Sequence, residues 1–194
     1  RILAHLEKMK EVPSLRESLM NWIERTPIMG SIYGSNGDLK SVSEYIDAHL
    51  EAHKKICDST SGSSEMMAER MRAVHEGAES FLKPGGVVSR ARAGLLFIES
   101  YRELPLLTWP RKLIDAIVEL EESMVKWRHS HARMVERIMG RRIGTGGTSG
   151  VDYLDATSQY RVFKDLWSVR TILVKPQSRP ELKGSEFYGY NSSN

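Results

Sequence analysis

From Pro110 to Met139 the chain carries no glycine and no second proline, and its apolar residues return at spacings of three, four and seven. Ile117, Leu120, Met124, Trp127, Met134, Val135 and Ile138 share one side when the backbone is an α-helix. Proline suits the first helical turn, and Gly140 suits the position just past the end. A helix that long must find its neighbours in the rest of the chain, and the rest repeats its period. No run alternates apolar and polar residues long enough to argue for a strand. The fold class expected is all-α.

The remaining elements follow from caps and breakers. A helical tail is expected over 2–9. After Pro13, Ser14 and Glu17 have capping-box spacing and open a helix whose buried face is Leu15, Leu19, Trp22 and Ile23. It stops before Thr26-Pro27, and Gly30, Gly34 and Gly37 mark the loop beyond. Ser41 and Glu44 repeat the capping spacing and start a helix carrying Tyr45, Ile46, His49, Leu50, His53 and Ile56. The Ser/Thr/Gly stretch 59–64 reads as a flexible connection. Helices are expected over 65–82 and 89–101, separated by Lys83-Pro84-Gly85-Gly86. A glycine-rich loop follows the long helix, then shorter helices over 151–157 and 162–173. The chain thus reads as a helical domain, 1–174, and a polar tail, 175–194, lying at the surface or frayed.

Composition narrows the class further. The chain has 194 residues, 40% hydrophobic and 27% charged, which is a globular balance and not a disordered one. No apolar run approaches the roughly eighteen residues of a membrane span. Cys57 is the single cysteine, so an internal disulfide or a cysteine-based zinc site is excluded and a reducing, cytoplasmic setting is expected. The chain opens at Arg1 with no apolar signal core, which is expected of a portion of a longer protein that is neither secreted nor imported. A net charge of +3 does not demand nucleic acid. Residues 126–142 do reach +5, through Lys126, Arg128, Arg133, Arg137, Arg141 and Arg142 against Glu136. Such a face can be solvated, sit on phosphates, or cradle acidic groups.

His131 lies within the apolar stripe of the long helix, four residues after Trp127 and three before Met134. His129 points roughly 160° away, toward Glu122, Arg133 and Glu136. Two readings of His131 stand open: a core imidazole bonded to a carbonyl, or an axial ligand to a cofactor lying on that face. The loop GTGGTSG, 144–150, would let a backbone approach a ligand closely. It lacks the Gly-Lys-Ser/Thr ending of a P-loop and follows a helix, so it is no dinucleotide fingerprint. It joins a helix C-terminus, which favours a cation, to a helix N-terminus, which favours an anion, and so would suit a zwitterionic amino acid. A flexible connector is the alternative. His49 and His53 share a helix face, but Leu50-Glu51-Ala52 lacks the glutamate a zinc protease needs after its first histidine. His5 and His75 are expected at the surface, and Cys57 in the core.

The stretch WRHSHARMVERIMGRRIGTGGTSGVDYLDATSQYRVFKDLWSVRT, 127–171, resembles the proximal-haem region of tryptophan 2,3-dioxygenases. That family carries W-R-x-x-H on a helix, a Met/Val-rich turn, the loop G-T-G-G-S-S-G and a Tyr-Leu pair. Here these are Trp127, Arg128, His131, Met134-Val135, the loop from Gly144, and Tyr153-Leu154. YRELPLLTWP, 101–110, is similar to the family's Y-R-(D/E)-x-P segment, and EVPSLRESLMNWI, 11–23, to its P-S-L-Y-E-x-L helix. The likeness extends to about Leu173 and is specific over 127–154.

The resemblance implies an all-helical bundle and a haem-dependent dioxygenase acting on tryptophan or a substituted tryptophan. It implies haem b with His131 as axial iron ligand, Thr145, Gly144 and Gly146 at the substrate's amino-acid end, and a homotetramer or dimer. Tryptophan and O2 are the partners it implies, with neither nucleic acid nor membrane. Related enzymes insert one oxygen atom, making oxindoles or hydroxylating tyrosine, and a haem sensor is a further alternative. Thr148 stands where serine is usual, and 29–37 and 59–64 depart from the pattern, as in a divergent member. The family's N-terminal half, with the distal-pocket Phe and His and the S-G-F-Q-S segment, is expected upstream of Arg1 or on another chain.

Overall fold

The computed structural model describes residues 12–62, 64–142 and 149–189. Every named element among them is helical, and Ile28 and Ser31 form an isolated bridge. The α-helices are α1 (Leu15–Ile23), α2 (Asp38–Ser61), α3 (Glu65–Leu82), α4 (Arg90–Ser100), α5 (Thr108–Met139), α6 (Gly150–Ser158) and α7 (Lys164–Ser168), with short 3-10 turns between them. The all-α expectation holds. The segment 2–9, His5, the loop residues 143–148 and residues 190–194 lie outside the described residues. The chain divides into two compact units. One holds the described residues of 1–111 and 165–194; the other is Lys112–Lys164.

In the first unit α4 is the central element. Ala93, Gly94, Leu95, Leu96, Phe97, Ile98 and Glu99 are all buried, so the helical period disappears from its exposure. That is what happens when α1, α2 and α3 each contact it. At Gly94 the approach of α1 is so close that a Cβ would stand 2.6 Å from the Ile23 carbonyl oxygen. An aromatic cluster packs around Phe97: Tyr45 meets it edge-on at 5.5 Å, and it also touches Tyr101 and Tyr188.

The start of α2 shows why its first turn was misplaced by the sequence reading. Asp38 is buried and accepts from Arg90 Nε and Nη2 at 3.0 and 3.1 Å, from Ser31 Oγ and from the Gly34 N–H. Burial by itself would raise its pKa, but these donors hold the carboxyl below the usual range. The glycine-bearing loop wraps this carboxylate, and Gly37 at φ +87° precedes the helix, which therefore begins at Asp38 and not at Ser41.

Four further expectations need correcting. Residues 59–61 are helical, and there the Ser59 and Thr60 hydroxyls donate back to the Ile56 carbonyl and Ser61 to that of Asp58. Leu15, placed on the buried face of α1, is 63% exposed, and Trp22 is only half-buried. The capping box of Ser14 and Glu17 forms, so the helix starts where expected although its face is narrower. Residues 175–189, expected at the surface or frayed, do lie largely at the surface but are tied down. Tyr188 is fully buried, accepts from the Gly30 N–H and donates to the Pro27 carbonyl. Arg179 donates to the Ser100 carbonyl and pairs with Glu103, while the Tyr101 hydroxyl donates to the Pro180 carbonyl.

Candidate functional site

The second unit is built on α5, which carries two parallel stripes. Ile114, Val118, Glu121 and Ala132 are buried, and with half-buried Val125, Arg128 and Val135 they form a seam spaced four and three in alternation. Two members of this seam are charged, which hid it from a search for apolar residues. Both have work on the backbone that follows α6. Glu121 accepts from the Val162 and Phe163 N–H groups at 2.5 and 2.8 Å, and Arg128 donates to the Tyr160 carbonyl at 2.8 Å.

The apolar stripe recognised in the sequence lies one residue, about 100°, around the helix. It is open, not buried. Leu120, Met124, Trp127, Met134 and Ile138 are all exposed, Trp127 at 65% and Ile138 at 75%, and Ile117 is half-buried. His131 stands half-buried within it, with its ring stacked on Trp127 at 5.4 Å and 6° between planes. No hydrogen bond to either of its ring nitrogens occurs among the described residues. Among the described residues no carbonyl accepts from His131. A core imidazole bonded to a carbonyl is found at His49, which is fully buried with Nε2 2.9 Å from the Ile172 carbonyl oxygen.

α6 faces His131 across a concavity of about 530 Å³. Trp127, Arg128 and His131 line it from α5, and Tyr153, Leu154 and Thr157 from α6, with Tyr160 just beyond that helix. Ser149 caps α6 by accepting from the Asp152 N–H, as its spacing predicted. His129 is exposed and lies in a separate depression beside Arg133, Met134 and Arg137, without an aromatic wall. Thr157 and Tyr160 went unnoticed in the sequence. Their spacing of four and seven from Tyr153 places them on one helical face, which was the available signal.

Gly144, Thr145 and Gly146 fall outside the described residues. Their flanks are described: α5 ends at Met139, Gly140 takes φ +64°, and α6 starts at Gly150. The basic run is partly neutralised, since Arg133 and Arg141 pair with Glu136, Asp152 and Asp155.

The other histidines are occupied by structure. His75, expected at the surface, is half-buried, and its Nδ1 lies 3.2 Å from that of His53. Among the described residues no group of three or more His, Cys, Asp or Glu side chains is arranged to hold a metal ion. None of the described helices is long and apolar enough to cross a membrane.

What the groove offers a ligand is an imidazole whose nitrogens have no hydrogen-bond partner among the described residues, flat aromatic surfaces, a leucine and an arginine. That lining is compatible with a flat, mostly apolar, anionic macrocycle carrying a metal, such as the haem that the sequence resemblance implies.

Comparison with known proteins reaches the same region. The family model described as "Tryptophan 2,3-dioxygenase" matches residues 3–173. The chain is 41% identical to a "Tryptophan 2,3-dioxygenase-like protein" of Xanthomonas campestris pv. campestris (strain 8004), across 92% of this chain and 71% of that one. It is 43% identical to a "Tryptophan 2,3-dioxygenase" of Sorangium cellulosum (strain So ce56), across 92% of this chain and 47% of the relative. A "Tryptophan 2,3-dioxygenase 2" of Ralstonia nicotianae (strain ATCC BAA-1114 / GMI1000) is also 43% identical, with 91% and 52% covered. The chain thus spans about half the length of the last two.

Proposed function

This chain belongs to the tryptophan 2,3-dioxygenase family, and from that premise we propose that it is a haem-dependent oxygenase acting on the indole ring of tryptophan or a substituted tryptophan. The observation that carries the proposal is His131: half-buried, stacked on Trp127, and without a hydrogen-bond partner among the described residues. A neutral imidazole in that state has a lone pair to give to iron. When bound, haem b supplies the iron that binds and activates dioxygen.

The protein's own residues hold and orient. His131 would hold the haem through its iron. Trp127, Tyr153 and Tyr160 offer flat surfaces, and Leu154 and Thr157 complete a wall that excludes water from that side. Thr145, between Gly144 and Gly146, grips the substrate's ammonium and carboxylate. The C-terminus of α5 and the N-terminus of α6 flank that loop, with partial charges of the right signs. The protein works in the cytoplasm as a homo-oligomer, with tryptophan and O2 as partners.

The test is a pair of variants on one helix. His131→Ala loses haem, or loses its His-ligated spectrum, while His129→Ala keeps both. Equal loss in the two variants, or retention in both, overturns the assignment. Turnover under isotopically labelled O2 then reads the chemistry: two labelled atoms in a ring-opened product support dioxygenation, and one labelled atom assigns the chain to the monooxygenases.

A further inference from the structure

The wall facing His131 is held in place by charge. α6 fully buries a single side chain, Val151, and half-buries Leu154, so its apolar seam is slight. A network of five charged residues ties it to α5 instead. Arg133 donates to Glu136 on its own helix and to Asp155 on α6. Arg141, just beyond the end of α5, donates to Glu136 at 2.8 Å and to Asp152 at 2.7 Å, and lies 3.6 Å from Asp155. Two guanidinium groups are thus shared among three carboxylates. Asp155 feels it most: the Arg133 hydrogen bond, aided by Arg141 and the nearby His129, holds its carboxyl below the usual range.

These side chains sit on, or two residues beyond, the same two helices as the groove, and three of the four anchors lie one or two residues from its lining. Arg133 is two residues from His131, Asp152 adjoins Tyr153, and Asp155 lies between Leu154 and Ala156, both lining residues. We infer that Arg133 and Arg141, paired with Asp155 and Asp152, are positioning residues that set the width of the groove between His131 and α6, acting as a latch whose strength follows ionic strength. The part of the inference that concerns haem rests on the function proposed above; the latch itself does not.

The physics makes the latch distinguishable from ordinary packing. Exposed ion pairs are individually weak and are screened by salt. Apolar burial, which holds α4 in the first unit, is not weakened that way. Raising salt from about 0.01 M to about 1 M shortens the Debye length from roughly 30 Å to roughly 3 Å. α6 should then loosen while α4 does not.

The experiment is amide hydrogen exchange on the full chain at the two salt concentrations, with haem release to an acceptor protein followed alongside. In the parent protein, α6 amides exchange about threefold faster or more at high salt, as expected for loss of more than one exposed pair. Asp155→Asn exchanges fast already at low salt and responds little to added salt. The double variant Arg133→Gln with Asp155→Asn loses no more protection than Asp155→Asn alone, a non-additivity that a merely structural role for either side chain would not produce. Haem release follows the same order. Salt-independent exchange of α6 in the parent protein overturns the latch without recourse to any variant. Exchange that follows salt while haem release does not shows that the latch does not set the site, and overturns its positioning role. If the parent protein takes up no haem, the haem reading falls, and the exchange data alone decide the latch.

Discussion

Ile98 of α4 and Ile138 of α5 are the same side chain on amphipathic helices, yet the first is fully buried and the second 75% exposed. His49 and His131 repeat the contrast. Both lie among apolar residues at helical spacing. His49 is sealed in, bonded to a carbonyl, and has its pKa pushed down to about 4 by burial. His131 is open on a groove with no hydrogen-bond partner among the described residues. Apolar spacing says which residues share a face. It does not say whether anything covers that face. In the first unit α1, α2 and α3 cover α4; on α5 the seam that is covered carries Glu121 and Arg128, and the apolar stripe beside it is largely bare.

The contrast can be broken at its two isoleucines. Ile98→Ala should cost about 2–5 kcal/mol of unfolding free energy, because it leaves a cavity in a filled core. Ile138→Ala should stay within about 0.5 kcal/mol, as surface substitutions do. Chemical denaturation of both variants measures the pair, and similar losses would mean that the α5 stripe is covered in solution.

The histidines sharpen it through pH. The folded pKa of His49 is depressed from 6.5 to about 4, so the unfolded chain takes up its proton first. The stabilisation is fully present above pH 6.5 and is lost as pH falls toward 4, a change of about 3 kcal/mol. Gln at this position keeps a donor for the Ile172 carbonyl and cannot titrate. His49→Gln should therefore flatten much of the acid limb of stability against pH. The slope that remains belongs in part to His53, whose pKa burial and His75 also lower. An unchanged slope in His49→Gln would contradict the buried-neutral assignment.

The smallest expected effect tests whether the open side is a binding side. A hydrogen bond to a charged group is worth about 1.5–3 kcal/mol, so Thr145→Ala should weaken tryptophan binding by about tenfold or more. Indole, which lacks the ammonium and carboxylate, should be affected far less. Calorimetric titration of both ligands separates the cases; equal weakening would make Thr145 a shaper of the pocket and not a reader of the zwitterion.

Local chemistry made much of this protein legible before any coordinates. The capping box of Ser14 and Glu17, the Ser149 cap, the proline near the start of α5 and Gly140 at its end are interactions within a few residues, and all four are realised. The divergence of His129 and His131 around α5 was equally legible, because it depends only on the helical period. Tertiary structure decided the rest. The carboxylate of Asp38 extends α2 by a turn because Arg90, fifty-two residues away, needs a buried partner. Tyr188 is drawn into the core by Phe97, Pro27 and Gly30. Glu121 and Arg128 occupy a buried seam because the backbone after α6 supplies N–H and carbonyl groups for them to satisfy. Desolvating a polar group is tolerable only where its partner arrives from elsewhere in the chain, and no spacing along one helix records that arrival.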